Sequence, residues 1–461
     1  MKKIFVFIAC LSLLAGSGCR KFIDINQDPN NPEDVQESLI LAPVEVAISQ
    51  DINGGTAAFI IQMYLQNAGM AQEAPNTDSY LLQNTKLDGS WSGVYVMVLN
   101  NLKNLIAKAE TSGKTNYVAI GKILSAFTLG TATDLWGDIP YTEALTGLEK
   151  LRPAYDSQEN VYKTIQTLLD EGITGIEQNG TVKPGDDDFF YGGDMSKWKK
   201  LAYTLKARYY LHLTKAPGYS GETQAGLALQ SLEQGMESND DDLKLAASGA
   251  AGQESPWFLN FQPQYALVLA STFIDNLKNR NDPRLPVMAK PAENSGLYRG
   301  RVIGTDIEDP GNFSFPGEFY AGTGATNFLV SYSEALFIKA EATLITEGYA
   351  AAEPVYQEAV RSHMDKLGIA GAEVDDYLSS RGTLTAGNAL QLIIEEKAVS
   401  NFLNFETFTD WRRTGFPELT IVANAVTDAI PRRLIYPESE KINNPQPQQS
   451  AKLTDKLWWD N

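Results

Sequence analysis

Aromatic residues in irregular segments are the side chains of this sequence best suited to recognising a ligand. A sugar ring has an apolar C–H face and a polar rim, so sugar-binding sites combine an aromatic platform with fixed polar groups. Long irregular segments in a folded chain are often functional. Two such segments span 248–263 and 281–327, and a shorter one spans 76–91. The expected ligand-binding residues are Asn76, Asp78, Tyr80, Trp91, Trp257, Phe258, Tyr298, Arg299, Phe319 and Tyr320.

Packing is the competing interpretation for each of these aromatic residues taken alone. A ring in a loop often fixes that loop to the scaffold, because aromatic area usually stabilises the fold. Trp91 illustrates the choice: Tyr95 lies one helical turn later on the same face, and the pair either lines a site or braces the core. The prediction of a binding role therefore concerns the irregular segments as a group.

Residues suited to catalysis or metal binding are scarce. The chain has two histidines and two cysteines, and it lacks the H-E-x-x-H, G-x-S-x-G, phosphate-loop and dinucleotide-binding signatures. We expect a binding protein without enzymatic activity or cofactor. Two facing carboxylates would suffice for a glycosidase, and 57 acidic residues leave that alternative open. The acidic runs 186–188 and 240–242 are predicted to be solvated turns, with a structural calcium ion as the alternative.

The composition indicates a large, acidic globular protein. The chain has 461 residues, with 38 lysines and arginines against 57 aspartates and glutamates, which gives a net charge of −19. Hydrophobic types make up 43% of the chain, enough to bury a sizeable core. Nucleic-acid binding is not expected, because a strongly acidic protein is repelled by phosphate backbones.

The first 18 residues have the pattern of an export signal. Lys2 and Lys3 precede the apolar run 4–14, and small residues then lead to Cys19. We predict a bacterial lipoprotein signal over 1–18 that is cut before Cys19, which then carries acyl chains. Gly16 stands where an aliphatic residue is usual, and a secretory signal that leaves Cys19 free is the alternative. Residues 19–34 are rich in turn formers and are interpreted as a tether.

From residue 35 onward the hydrophobic spacing predicts a mainly α protein. Apolar residues recur three to four positions apart, and no convincing run of alternating strand residues is present. One stretch resembles a tetratricopeptide hairpin: the segment 336–342 is followed by Gly348 and then by a large and a small residue, Tyr356 and Ala359. We therefore expect stacked helix hairpins. The predicted helices span 35–50, 56–70, 91–110, 116–135, 158–177, 196–214, 224–237, 264–279, 328–346, 352–367 and 387–411.

Seven short segments form a set of motifs that runs through the chain. They are 24–30 (DINQDPN), 134–145 (DLWGDIPYTEAL), 197–202 (KWKKLA) with Arg208, 332–341 (YSEALFIKAE), 411–415 (WRRTG), 431–437 (PRRLIYP) and 458–460 (WWD). In this order they resemble the SusD/RagB family of outer-membrane nutrient-binding lipoproteins. The arginine pairs of 411–415 and 431–437 are interpreted as interior ion pairs and stacking, with a clamp for an acidic ligand as the alternative.

The resemblance implies a scaffold of tetratricopeptide-like helix pairs with a loop-rich, largely helical second half, here within residues 35–461. It also implies a lipid anchor at Cys19 and a place on the surface of the outer membrane of a Gram-negative bacterium. Family members cap a SusC-like TonB-dependent transporter and deliver glycans, or sometimes peptides, to it without catalysis. Their ligand contacts vary and are not carried over to this sequence. A helical scaffold for protein partners and an exported carboxylate hydrolase are the alternative functions.

Overall fold

A computed structural model describes residues 35–262 and 266–460 of the chain. The predicted signal peptide, the tether 19–34 and the lipidation site Cys19 lie outside the described residues. Helices make up 56% of the structure, and the few strands form no closed sheet in the described ranges, which confirms the mainly α fold class.

The helices vary from single turns to six turns. The α-helices of the described ranges are α1 (Ser38–Ala47), α2 (Thr56–Tyr64), α3 (Asp88–Ser92), α4 (Asn100–Thr111), α5 (Thr115–Trp136), α6 (Gln158–Glu177), α7 (Met195–His212), α8 (Gly221–Leu232), α9 (Pro256–Asn260), α10 (Ser271–Asn279), α11 (Leu285–Met288), α12 (Glu318–Ala321), α13 (Tyr332–Glu347), α14 (Tyr349–Lys366), α15 (Ala372–Arg381), α16 (Ala389–Ser400), α17 (Glu406–Thr414) and α18 (Glu438–Asn443). The strands are β1 (Ala68–Met70), β2 (Leu243–Ala246), β3 (Leu267–Leu269) and β4 (Thr326–Val330).

Helices α5 and α6 show how the sequence builds the scaffold. α6 begins where the Ser157 hydroxyl accepts a hydrogen bond from the Asn160 backbone amide (3.3 Å). Its buried side chains recur every three or four residues, and α6 packs along α5. Gly172 lies in this contact: a Cβ there would stand 2.7 Å from Cγ1 of Ile123, so a larger residue would push the two helices apart.

Helix α5 lies in the protein core. By length and composition it is the one helix of the described ranges that qualifies as a candidate membrane span, but 83% of its most apolar stretch is buried inside the protein. Its apolar surface is therefore covered by neighbouring helices, chiefly α4 and α6.

The predicted tetratricopeptide-like hairpin corresponds to α13 and α14. Gly348 joins the two helices with φ +89°, a left-handed value that favours glycine. Tyr356 and Ala359 are both buried where α14 packs on its neighbours. α13 also contacts α8 and α16, so the hairpins stack as expected.

Four short strands were not predicted. β1 pairs antiparallel with β3, with Ala68 opposite Leu269, and β2 pairs antiparallel with β4. β3 lies inside the predicted helix 264–279 and β4 at the start of the predicted helix 328–346, so α10 begins only at Ser271 and α13 at Tyr332. Each strand pairs with a partner far away in the sequence, and local periodicity carries no signal for such a contact.

The predicted helix 387–411 is two helices in the structure, α16 and α17. In the turn between them, the Asn404 side-chain amide donates to the backbone carbonyls of Phe328 and Leu329 (3.2 and 2.9 Å). Because the Asn404 side chain is hydrogen-bonded to β4, the helix ends before this residue, and the chain changes direction in the turn. α15 is a further helix that the apolar spacing does not predict.

The arginine motifs lie inside the scaffold, as predicted. Arg413 makes a bidentate pair with Glu341 (2.8 and 2.9 Å), and the Arg412 guanidinium stacks on the Phe408 ring (4.0 Å). The Arg413–Glu341 pair joins α17 to α13, and Arg412 and Arg413 are both buried, so they do not form a clamp for an acidic ligand. The second pair, Arg432 and Arg433, stacks on Trp411 and Tyr436.

Candidate functional site

Five of the predicted site residues come together on two neighbouring loops, 72–80 and 294–313, which we call the loop surface. A buried arginine holds the loops together: Nη2 of Arg301 donates to the carbonyls of Gln72 (3.1 Å), Thr305 (3.0 Å) and Asp306 (3.0 Å). The Arg301 side chain is fully buried, so these hydrogen bonds form in a low-dielectric environment where they are stronger than in water. Arg301 therefore fixes the two loops of the loop surface relative to each other.

The extended segment around Gly300 explains how the sequence places this arginine. Arg301 and Ala270 form a parallel bridge, in which the Arg301 amide donates to the Leu269 carbonyl (2.9 Å) and the Ser271 amide donates to the Arg301 carbonyl (2.7 Å). A Cβ at position 300 would stand 2.3 Å from the Ala270 carbonyl oxygen. Glycine is therefore required for the backbone to come this close to α10 and β3.

Two arginines share one aromatic ring in this segment. Residues two apart in an extended chain lie on the same side, and the guanidinium groups of Arg299 and Arg301 are 4.8 and 5.7 Å from the Phe313 ring centroid. Arg301 is buried, whereas Arg299 is exposed and contacts Glu308 at 3.1 Å. The Phe313 ring therefore orients a guanidinium that faces solvent.

Tyr298 lies beside Arg299 on the loop surface. Its ring is half-buried, and its carbonyl accepts a hydrogen bond from Nζ of Lys278 on α10 (3.2 Å). A fixed backbone and a partly exposed ring are the features that an aromatic sugar platform needs.

The turn at 76–80 supports the other side of the loop surface. The Asn76 side chain accepts a hydrogen bond from the Asp78 amide (2.9 Å) and is half-buried. Asp78 is buried and accepts from the Met70 amide (2.7 Å); burial raises the pKa of its carboxyl to about 6, against that hydrogen bond and the charge of Arg301. Tyr80 is buried edge-on against Tyr64, with centroids 5.7 Å apart.

Three of the predicted aromatic residues line a separate, small cavity: Trp257, Phe319 and Tyr320. Its volume of about 20 Å³ is room for a water molecule but not for a sugar ring. The Tyr320 hydroxyl lies 3.1 Å from Nε2 of His363. Burial and then the charge of Arg284 hold the pKa of His363 well below its usual range, so this histidine is neutral.

The remaining two predicted residues lie elsewhere. Phe258 follows Trp257 on α9 and is half-buried. Trp91 is buried against Trp136 and Tyr95, with ring centroids 5.2 and 4.7 Å away, and this contact braces the core around the motif 134–145.

Arg301 and Phe313 are the residues of this site that the sequence analysis missed. The spacing Arg299-Gly-Arg301 is the one local signal for Arg301, because residues two apart in an extended chain lie on the same side. Which aromatic residue lies against both arginines depends on the contact between 299–301 and 313, and the sequence alone does not specify it.

The second acidic run, 240–242, is engaged by the protein itself, and the burial of Asp241 and Asp242 shows that the prediction of a solvated turn was wrong there. Asp241 pairs with Lys200 (3.0 Å), and Asp242 accepts from the Tyr332 amide (2.7 Å) and pairs with Lys366 (2.7 Å). Across residues 35–262 and 266–460, no three His, Cys, Asp or Glu side chains are grouped closely enough to hold a metal ion. The alternative of a structural calcium ion gains no support there.

Comparison with known proteins identifies the family and the fold. The profile of a SusD-like family described as "Starch-binding associating with outer membrane" matches residues 29–437. No curated protein matches the chain. A solved chitin-binding protein superposes with a TM-score of 0.79 at 24% identity, covering 92% of this chain and 100% of its own.

Two further structures give the same result. A chitin-binding SusD homologue from Flavobacterium johnsoniae has a TM-score of 0.79 at 21% identity, covering 92% of this chain and 98% of its own. A SusD/RagB family protein from Bacteroides thetaiotaomicron has a TM-score of 0.78 at 20% identity, covering 93% and 99%. At these identities the likeness shows the fold, and the family match extends over nearly the whole chain. This chain belongs to the SusD/RagB family.

Proposed function

We propose that this protein is a cell-surface lipoprotein that captures an oligosaccharide or polysaccharide and delivers it to a SusC-like TonB-dependent transporter in the outer membrane. The loop surface carries the proposal, because it presents the half-buried Tyr298 ring and the exposed Arg299 guanidinium on a rigid base. The family description and the chitin-binding neighbours support a glycan as the ligand.

The chemistry of the loop surface suits a neutral sugar. A sugar ring packs its C–H face on an aromatic side chain, and its hydroxyls both donate and accept hydrogen bonds. Next to the Tyr298 ring, Arg299 offers donors and Glu308 offers acceptors, and the Asn294 side-chain amide lies 3.0 Å from Oδ1 of Asn312. Binding needs none of the facing carboxylates that sugar hydrolysis would require.

Replacement of the two presented side chains tests the proposal. We expect Tyr298→Ala and Arg299→Ala each to weaken binding of the best oligosaccharide from a broad glycan array by about fivefold to tenfold, through lost stacking and lost hydrogen bonds. Isothermal titration of the purified mature protein measures this change. Tyr349→Ala is the matched control, because Tyr349 is 44% exposed and belongs to α14, not to either loop.

The same measurements separate the alternatives. Tight capture of a peptide or protein by a chain that binds no glycan would favour the scaffold function. Release of reducing sugar by the pure protein would establish a hydrolase. Equal affinity of the wild type, Tyr298→Ala and Arg299→Ala for a bound glycan would move the site away from the loop surface.

A further inference from the structure

A second cavity lies beside the loop surface, between α10, α16 and the loop 416–420. Its volume is about 320 Å³, within the size range of ligand sites. The apolar part of its lining includes Leu65, Phe273 and Val399, and polar side chains line the rest. We call this cavity the amide cleft, after two asparagines on α10, Asn276 and Asn279.

The amide cleft has polar groups that the protein leaves free. Asp275, Asn276, Asn279 and Glu418 line it, and in the described part of the chain these side chains make no hydrogen bond or ion pair. Carboxylates only accept hydrogen bonds, whereas amides both donate and accept. This set of groups suits a ligand with many hydroxyls.

The walls of the cleft are fixed. On one side Glu395 pairs with both Arg280 (2.7 Å) and Arg381 (2.8 Å). On the other, Gln66 accepts from the Thr272 hydroxyl (3.1 Å) and donates to the Thr420 carbonyl (2.5 Å). Because these contacts hold α10, α16 and the loop in place, binding would cost little ordering of the protein.

Charge restricts the ligand further. Three carboxylates line the cleft against one guanidinium, and that guanidinium, Arg280, is already paired. An acidic sugar would meet unpaired Asp275 and Glu418 with no free cation to bind it, which disfavours binding.

The position of the cleft connects it with the loop surface. Lys278, on the same helix as Asp275 and Asn279, donates to the Tyr298 carbonyl (3.2 Å). α10 has nine residues and therefore spans roughly 13 Å. Lys278 and Asp275 are neighbours three residues apart on the helix surface, so a chain-like ligand bound at Tyr298 would pass Asp275 to reach the cleft.

We propose that the amide cleft is a second contact site for the captured glycan and that it selects neutral, hydroxyl-rich chains over acidic ones. This inference rests on the proposed function at the loop surface. It predicts that long oligosaccharides bind more tightly than short ones, because only long chains reach both sites.

Chain length provides the first test. The probes are maltose with maltoheptaose, and chitobiose with chitohexaose, titrated into the mature protein. We expect the double variant Asn276→Ala/Asn279→Ala to lose about tenfold in affinity for the long member of the pair that binds, and to keep the affinity for the short one. Tyr298→Ala should weaken both members. Retention of the long-chain affinity by the cleft variant, with loss in Tyr298→Ala, would refute the cleft and leave the proposed function intact.

Charge reversal provides the second test. Asp275→Lys/Glu418→Lys should gain at least about tenfold in affinity for an oligogalacturonide, an acidic sugar chain that the wild type should bind weakly. Glu373→Lys/Asp376→Lys, on exposed positions of α15, adds the same charge elsewhere and should change little. An equal gain in both double variants would show an effect of net charge and overturn the selectivity. Absence of binding to every neutral probe by the wild type, together with peptide capture, would remove the proposed function and the cleft together.

Discussion

At the scale of single residues, His212 shows how the scaffold holds charge in its interior. The side chain is 1% exposed, with Nε2 2.8 Å from Glu406 and Nδ1 3.3 Å from Asp134. The Tyr162 hydroxyl also lies 2.9 Å from Nδ1. Burial by itself would lower the pKa of His212, but the two carboxylates outweigh it and raise that pKa to about 9. His212 is therefore a buried cation that links α7 to α17.

This charge makes the stability of the protein depend on pH. The unfolded chain has a histidine pKa near 6.5, so the raised folded value contributes stability that is complete below about pH 6.5 and lost as the pH rises through about 9. We expect the free energy of unfolding of the wild type to fall by about 3 kcal/mol over this range relative to His212→Gln. Urea denaturation at pH 6.5, 8 and 9 measures the difference.

His363 provides the matched control for that experiment. It is equally buried, but its pKa lies well below the usual range, so its protonation does not change above about pH 6.5 in the folded protein. His363→Gln should therefore keep the wild-type slope whatever its absolute stability. If His212→Gln also keeps that slope, His212 is not charged in the folded protein.

At the scale of elements, the sequence pattern predicts a helix well where its contacts are local. α6 has the predicted bounds, because its periodic apolar face and its Ser157 cap are local signals. α5 differs from its prediction by one residue at each end. The prediction was wrong for β3 and for the start of α10, because Leu267–Leu269 pairs with β1, about 200 residues earlier in the chain. Long-range pairing overrides local periodicity in such a segment.

The candidate site follows the same rule. Irregular segments and their residue types indicated where the loops are, and Tyr298 and Arg299 lie at the surface. The sequence did not distinguish these two from Trp257 and Tyr320, which are 2% and 6% exposed. Exposure of a loop aromatic depends on the segment that covers it, and here α9, α12 and β4 cover one another.

Gly300 links the fold of one element to the site. Ala at this position would place Cβ against the Ala270 carbonyl, and the strain should lower the free energy of unfolding by about 1–3 kcal/mol. The added Cβ would push the backbone of residue 300 away from Ala270 and displace the neighbouring Arg299. Gly300→Ala should therefore also weaken oligosaccharide binding. Thermal unfolding and titration measure the two effects.

A glycine without close neighbours is the control for this variant. A Cβ at Gly226, inside α8, would meet nothing within 4 Å, so Gly226→Ala should raise stability by about 0.5–1 kcal/mol and leave binding unchanged. Unchanged stability and binding in Gly300→Ala would show that the segment 299–301 adapts, and that the loop surface does not depend on its close approach to α10.

At the scale of the whole molecule, the scaffold and the loops divide the tasks. Buried ion pairs and close helix contacts make the hairpin scaffold rigid, as between Arg208 and Glu334 (2.7 Å). The loop surface and the amide cleft both border α10, in the less regular part of the chain. A rigid base under exposed loops is an arrangement suited to capture, and the proposed delivery would depend on an anchor at the membrane.

Lipidation of Cys19 is the prediction that tests how the molecule is held. Cys19 lies outside the described residues and follows an apolar run and small residues typical of a lipoprotein signal. We expect the wild type to partition into the detergent phase, because several acyl chains on Cys19 would anchor it stably. Cys19→Ala has no site for these chains and should be released into the aqueous phase. The purified variant should bind oligosaccharide like the wild type, since residue 19 precedes both sites, while cells that carry it should lose growth on the captured glycan. Detergent-phase partitioning of Cys19→Ala would refute the anchor, and normal growth of cells with a fully soluble variant would refute delivery from an anchored position.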